Sequence, residues 1–99
     1  MKGIVYGSTF ERADKQLEKI IREYDLMNIQ KLSERKNLQR HEIAYDNGDY
    51  WEALSARESC RGKSCNIAYI DGTIERNLIV NVINPTIKAR PYRAYHYYW

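Results

Sequence analysis

Between Phe10 and Tyr24 the apolar residues return every three or four positions, at Phe10, Ala13, Leu17, Ile20, Ile21 and Tyr24. Glu11, Arg12, Asp14, Lys15, Glu18, Lys19, Arg22 and Glu23 fill the places between them. That period predicts an amphipathic helix over about residues 9 to 25. Ser8 and Glu11 have the S-x-x-E spacing of a capping box, which marks its start. Ahead of it, Gly3 to Tyr6 reads as a short buried strand that Gly7 ends.

The pattern changes after the helix. Met27 to Leu32 is a candidate strand, and Ser33-Glu34-Arg35-Lys36-Asn37 reads as a polar turn. Leu38 to Tyr45 and Asp49 to Ala56 flank Asp46-Asn47-Gly48. Asn-Gly supplies the positive φ angles of a tight turn, so these two segments are expected to pair as antiparallel strands. Ser59 to Ser64 is a polar basic loop, and Asn66 to Ile70 a buried strand broken by Asp71-Gly72. Thr73 is placed to cap a second helix ending near Asn84, before Pro85. Its apolar members Ile74, Leu78, Ile79, Val82 and Ile83 predict a largely buried element. The expected fold is α+β, or a small α/β arrangement, with one sheet of four to five strands and two helices packed on it.

At 99 residues the chain is expected to form a single domain, with a basic aromatic tail at about 86–99. No apolar run is long enough to span a bilayer, and the start lacks a signal-peptide pattern, so a cytoplasmic location is expected. The net charge of +3 is too small to indicate nucleic-acid binding by itself. Its distribution says more. From Lys88 onward there are cations and no acid, whereas Glu42, Asp46, Asp49, Glu52 and Glu58 crowd one earlier stretch. Cys60 and Cys65 are read as free thiols, because a zinc site would have only His41 and His96 to add, without finger-like spacing. No metal or cofactor is assigned.

The chemical motifs are incomplete. Gly62-Lys63-Ser64 has the ending of a phosphate-binding loop, but Arg57 stands where its first glycine belongs, and a strand rather than a helix follows. The turn Val5-Tyr6-Gly7-Ser8-Thr9 leads into a helix N-terminus, where backbone N–H groups suit an anion, although Ser8 is expected to be spent on capping. Asp25 with Glu34-x-Lys36 has the residue types of a metal-dependent nuclease; in a charged turn those residues read as a solvated face. Cys60 or Cys65 with His41 or His96 lacks the setting of a nucleophile. Tyr45, Tyr50 and Trp51 beside the hairpin turn suit either cross-strand packing or an interface. Nine tyrosines exceed what one small core can hold, so some are expected at the surface.

The middle of the chain resembles the ATPase core of phage large terminase subunits and related helicases, over roughly residues 43 to 84. The resemblance is carried by Asp46-Asn47-Gly48-Asp49-Tyr50-Trp51, by Ala56-Arg57 and Arg61-Gly62, and by an apolar strand ending in Ile70-Asp71. In that family the strand ends in Asp-Glu, which holds magnesium and activates water; here Gly72 follows Asp71, and the lysine-bearing phosphate loop is missing. The resemblance therefore implies a cut-down α/β module that has lost ATP hydrolysis. Short tyrosine-rich chains of this type also look like accessory proteins of phages and prophages, several of which bind host defence machinery, including CRISPR nucleases.

The expectation is thus a non-enzymatic, phage-encoded binding protein that docks on a host or phage protein or nucleoprotein complex as an inhibitor or adaptor. The contact residues expected are Arg90, Tyr92, Arg93, Tyr95, Tyr97, Tyr98 and Trp99 of the tail, joined by Arg57, Arg61 and Lys63 of the basic loop. Arginine forks suit phosphates or carboxylates, and aromatic faces supply contact area or stack on bases. Asp46, Asp49 and Glu52 form a second candidate patch, suited to a basic nucleic-acid channel. The alternatives are a small nucleotide- or metal-dependent enzyme using Ser8, Lys63 and Asp71, and a structural homodimer joined by the tail.

Overall fold

A computed structural model describes residues 1–89 and 93–99. Six strands form one mixed sheet: β1 (Lys2–Gly7), β2 (Lys31–Lys36), β3 (His41–Tyr45), β4 (Tyr50–Ser55), β5 (Ile67–Ile70) and β6 (Tyr95–Tyr98). They lie in the order β2-β3-β4-β1-β5-β6. β1 runs parallel to both β4 and β5, β6 runs parallel to β5, and β2, β3 and β4 form an antiparallel meander. The class is α+β as expected, with six strands rather than four or five.

Both faces of the central strands are covered. Helix α1 (Phe10–Leu26) packs Ala13, Leu17, Ile20 and Tyr24 against Val5, Ile43, Tyr45, Trp51 and Ala53. Alternation along β1 sends Ile4 and Tyr6 to the opposite face, where they meet Leu54, Cys60, Ala68, Ile70, Val82 and Ile83. Each large apolar side chain so buried contributes about 1.5–3 kcal/mol before the entropy of ordering it is subtracted. The second face is closed by α2 (Arg76–Leu78), which continues as a π-helical turn over Ile79–Ile83 and a 3-10 turn over Asn84–Thr86. Among the described residues no helix is long and apolar enough to cross a membrane.

Four local expectations need correction. The cap of α1 is Thr9, whose hydroxyl accepts the Arg12 N–H at 3.2 Å, because Ser8 is engaged with Asp71 instead. Residues 33–36 belong to β2 and not to a turn; this edge strand is exposed on both faces, so no burial period marks it in the sequence. The first strand of the Asn-Gly hairpin begins at His41, and Leu38 stands 93% exposed before it. The second helix starts three residues later than Thr73, whose N–H and hydroxyl both bond Asp71. β3 and β4 pair antiparallel across the Asn-Gly turn as expected, but Gly48, at φ 93°, is the turn's one positive-φ residue and Asn47 is not, with the Tyr45 N–H bonded to the Asp49 carbonyl at 2.9 Å.

An aromatic seam crosses the α1 face. Tyr45 stacks on Tyr24 at 4.1 Å between centroids, and Trp51 Nε1 donates to Tyr24 Oη at 2.9 Å. Tyr69 follows at 5.7 Å from Trp51, and Tyr97 at 5.1 Å from Tyr69. Gly3 of β1 makes this possible, since a Cβ there would lie 2.4 Å from the Trp51 ring. Tyr45 and Trp51 are thereby core residues, while Tyr50 is half-buried and donates to Glu42 at 2.9 Å.

Candidate functional site

The carboxyl end of β1, where the chain turns into α1, is closed from within. Asp71, just after β5, is fully buried and receives six hydrogen bonds. Ser8 donates its N–H at 2.9 Å and its hydroxyl at 2.7 Å. Arg12 adds Nε at 2.6 Å and Nη2 at 3.0 Å, and Thr73 gives its N–H at 2.9 Å and its hydroxyl at 2.8 Å. The Arg12 guanidinium, with the Ser8 and Thr73 donors, overrides burial and holds the Asp71 carboxyl far below the usual carboxylate range. A fixed negative charge therefore stands at the turn where a helix N-terminus would otherwise attract an anion. Gly72 is where the backbone of Trp99 arrives: its N–H donates to the Trp99 carbonyl at 2.8 Å, and a Cβ would lie 3.1 Å from that oxygen.

The basic loop and the acidic patch are joined internally. Glu52 is buried in β4, with Lys63 Nζ at 2.8 Å on one oxygen and Arg40 Nη2 at 2.6 Å on the other. Burial works to raise the Glu52 pKa, but the bonds from Lys63 and Arg40 outweigh it and leave it lowered. Glu52 is thus no part of an exposed patch, because β4 is a central strand covered on both sides. Asp49 accepts from Tyr24 Oη at 2.6 Å, and of the three acids only Asp46 is exposed. Arg61 pairs with Glu58 at 2.7 Å, and Arg57 donates to Ser55 Oγ at 3.1 Å. Arg40, Arg57 and Lys63 line a cavity of about 170 Å³ beyond the end of β4, together with Gln39 and Ser59.

The aromatic tail supplies β6, the last strand of the sheet. Tyr95, Tyr97 and Tyr98 are 44%, 47% and 54% exposed, so surface tyrosines are present as expected. Arg93 and His96 are also exposed, and His96 meets the Tyr98 ring edge-on at 5.8 Å. Trp99 differs, lying half-buried against the α1 side of the core. Arg90 and Tyr92 lie outside the described residues. The basic loop joins β4 to β5 in the chain, and β6 pairs with β5.

A further group of polar side chains left little sign in the sequence. His41 is buried on β3, with Nδ1 2.7 Å from Asp14 Oδ1 and Nε2 2.6 Å from Glu34 Oε2. Glu18, one helical turn after Asp14, places an oxygen 3.8 Å from the same Nδ1. Glu34 and Lys36 are thus strand residues. They are turned towards α1, with Lys36 Nζ 2.7 Å from Asp14 Oδ2, while Asp25 is exposed. Cys60 and Cys65 are free and buried, and burial pushes the Cys65 thiol up to about 11.

No protein family and no curated protein matches the sequence. Among solved structures, the chain is similar to the large terminase ATPase domain of a Thermus phage, solved as an arginine-to-alanine mutant, with a TM-score of 0.56 and 14% identity. The match covers 98% of this chain and 47% of that one, so this chain spans about half the length of its neighbour. The likeness is one of fold: the sheet and its covering helices follow a terminase-like plan.

Proposed function

We propose that this chain is a non-enzymatic binding protein of phage type, which docks on a protein or nucleoprotein partner as an inhibitor or adaptor. The observation that carries the reading is β6, an exposed row of tyrosines on the last strand of the sheet. Tyrosine gives large contact area at low rotamer cost, and an edge strand can add a partner's strand by main-chain hydrogen bonds. Arg93 beside it and Arg57 at the far end of β4 are cations suited to acidic or phosphate groups. An anti-defence role, of the kind that blocks a CRISPR nuclease, is the specific form of this reading.

The occupied β1–α1 turn supports binding over catalysis. In the nucleotide-handling alternative Ser8, Lys63 and Asp71 would serve a phosphate or its metal, yet each is already tied within the protein. A phosphate approaching Ser8 would meet the Asp71 carboxylate. The homodimer alternative draws on the same β6 edge, with a second copy as its occupant.

The test is capture of partners from phage-infected and uninfected cells with the intact protein, against a Tyr95→Lys/Tyr98→Lys variant that keeps its fold. A partner held by the first and lost by the second supports docking through β6. Equal capture by both removes that surface. Light scattering on both proteins separates self-association, and saturable magnesium–ATP binding would overturn the non-enzymatic reading.

A further inference from the structure

We propose that Asp14, Glu18 and His41 form a binding site for a divalent transition-metal ion of the zinc class, joining α1 to β3. The three donor atoms converge within 4.8 Å of one another. Asp14 and Glu18 are four residues apart on α1 and so share a face, while β3 turns His41 towards them. Tetrahedral coordination with ligand bonds of about 2.0–2.1 Å sets ligand atoms about 3.3 Å apart. The His41–Asp14 and His41–Glu18 separations, 2.7 and 3.8 Å, lie on either side of that spacing. Small side-chain shifts would therefore admit the ion.

The surroundings fit the same occupant. A ligating histidine commonly presents its other nitrogen to a carboxylate, which fixes the ring and its tautomer. Glu34 stands in that place on Nε2 at 2.6 Å. The lysines do not block the site. Lys36 holds Asp14 by Oδ2 and Lys31 holds Glu34 by Oε1, which leaves Asp14 Oδ1 and Glu34 Oε2 on His41. Three carboxylates against two ammonium groups leave a negative excess for a cation to neutralise.

One buried hydroxyl on the α1 side of the sheet lacks a partner. Among the described residues, Tyr45 Oη is the buried side-chain polar atom without a hydrogen-bond partner, on a residue 2% exposed. Burial, with the charges of Asp25, Glu34 and Glu18, pushes this hydroxyl up to about 12. A buried unpartnered donor is costly.

The experiment is calorimetric titration of the intact protein with Zn²⁺, and spectroscopic titration with Co²⁺, in a Cys60→Ser/Cys65→Ser background that removes thiolate ligation. The expected result is one saturable site and a tetrahedral Co²⁺ spectrum. Asp14→Asn and Glu18→Gln should each weaken binding at least about tenfold, and Glu34→Gln about 10- to 100-fold. These three side chains are partly exposed, so their variants keep the test open where His41→Asn fails to fold. Absence of saturable uptake at millimolar metal would overturn the site. So would an affinity unchanged in Asp14→Asn and Glu18→Gln, which would mark adventitious surface binding.

Discussion

Arg12 and Asp71, 59 positions apart in the chain, meet as a two-point pair, with Nε on Oδ2 at 2.6 Å and Nη2 on Oδ1 at 3.0 Å. The pair ties the first turn of α1 to the end of β5. Because the carboxylate is fully buried and Arg12 is half in solvent, the two partners are unequal. Removing the carboxylate leaves the Ser8 and Thr73 donors without their acceptor. Removing the guanidinium leaves a buried charge still held by four hydrogen bonds.

Asp71→Asn is therefore expected to cost about 3 kcal/mol in urea unfolding at pH 7. The pH dependence fixes the sign. The Asp71 pKa is lowered in the folded state, so its contribution is full above the unfolded value of about 3.9 and fades as pH falls below it. The gap between wild type and Asp71→Asn should narrow progressively through acid. A constant gap from neutral pH to acid would show that the charge is not what stabilises the turn.

Gly3→Ala tests the aromatic seam. A methyl group would enter 2.4 Å from the Trp51 ring, and overpacking of this kind costs about 1–3 kcal/mol. Trp51 fluorescence should shift as the ring leaves Tyr24 and Tyr69. Gly48→Ala, with nothing within 4 Å of its Cβ, should cost about 1 kcal/mol through its positive φ alone and leave the fluorescence unchanged.

Lys63 separates the internal from the external reading of the basic loop. Lys63→Ala should lower stability by about 1 kcal/mol, because Glu52 keeps Arg40. Glu52→Ala should lower it more, since the residue is buried and its two cations must find water again. Arg57→Ala should leave the unfolding midpoint in place. If Lys63→Ala were as stable as wild type, the ion pair would have no structural role.

On β6 the expectation is the reverse, a surface change without a structural one. Tyr98 is 54% exposed, so Tyr98→Lys should change the melting temperature little while weakening partner capture. Trp99→Ala should destabilise, because its ring packs on the core. A marked melting loss in Tyr98→Lys would recast β6 as a core strand.

Much of this fold could be read along the chain where burial is periodic. α1 was legible because one face of its 17 residues meets the sheet, and the hairpin because Asn47-Gly48 permits few other turns. β2 was not, since a strand wet on both faces leaves no alternation and its charges imitate a turn. The start of α2 was hidden by Thr73, whose hydroxyl serves Asp71 instead of a helix. The site was harder still. Glu52 and Lys63 read as two surface patches, because a sequence does not show that opposite charges meet inside. Asp14 and His41, 27 residues apart, come together only when helix lies on strand. The one sign of it was that His41 shares the alternation of Ile43 and Tyr45.

The two faces of the sheet are not covered alike. One lies under the regular α1, the other under a segment that passes from α to π to 3-10 geometry within 11 residues, from Arg76 to Thr86. Irregular turns make poorer hydrogen bonds, so this cover should lift by local unfolding before α1 does. Cys60 and Cys65 lie beneath it as free thiols. The protein thus carries its own clock for that opening: the rate at which a thiol reagent labels the native protein would count the excursions of one face while the other stays shut.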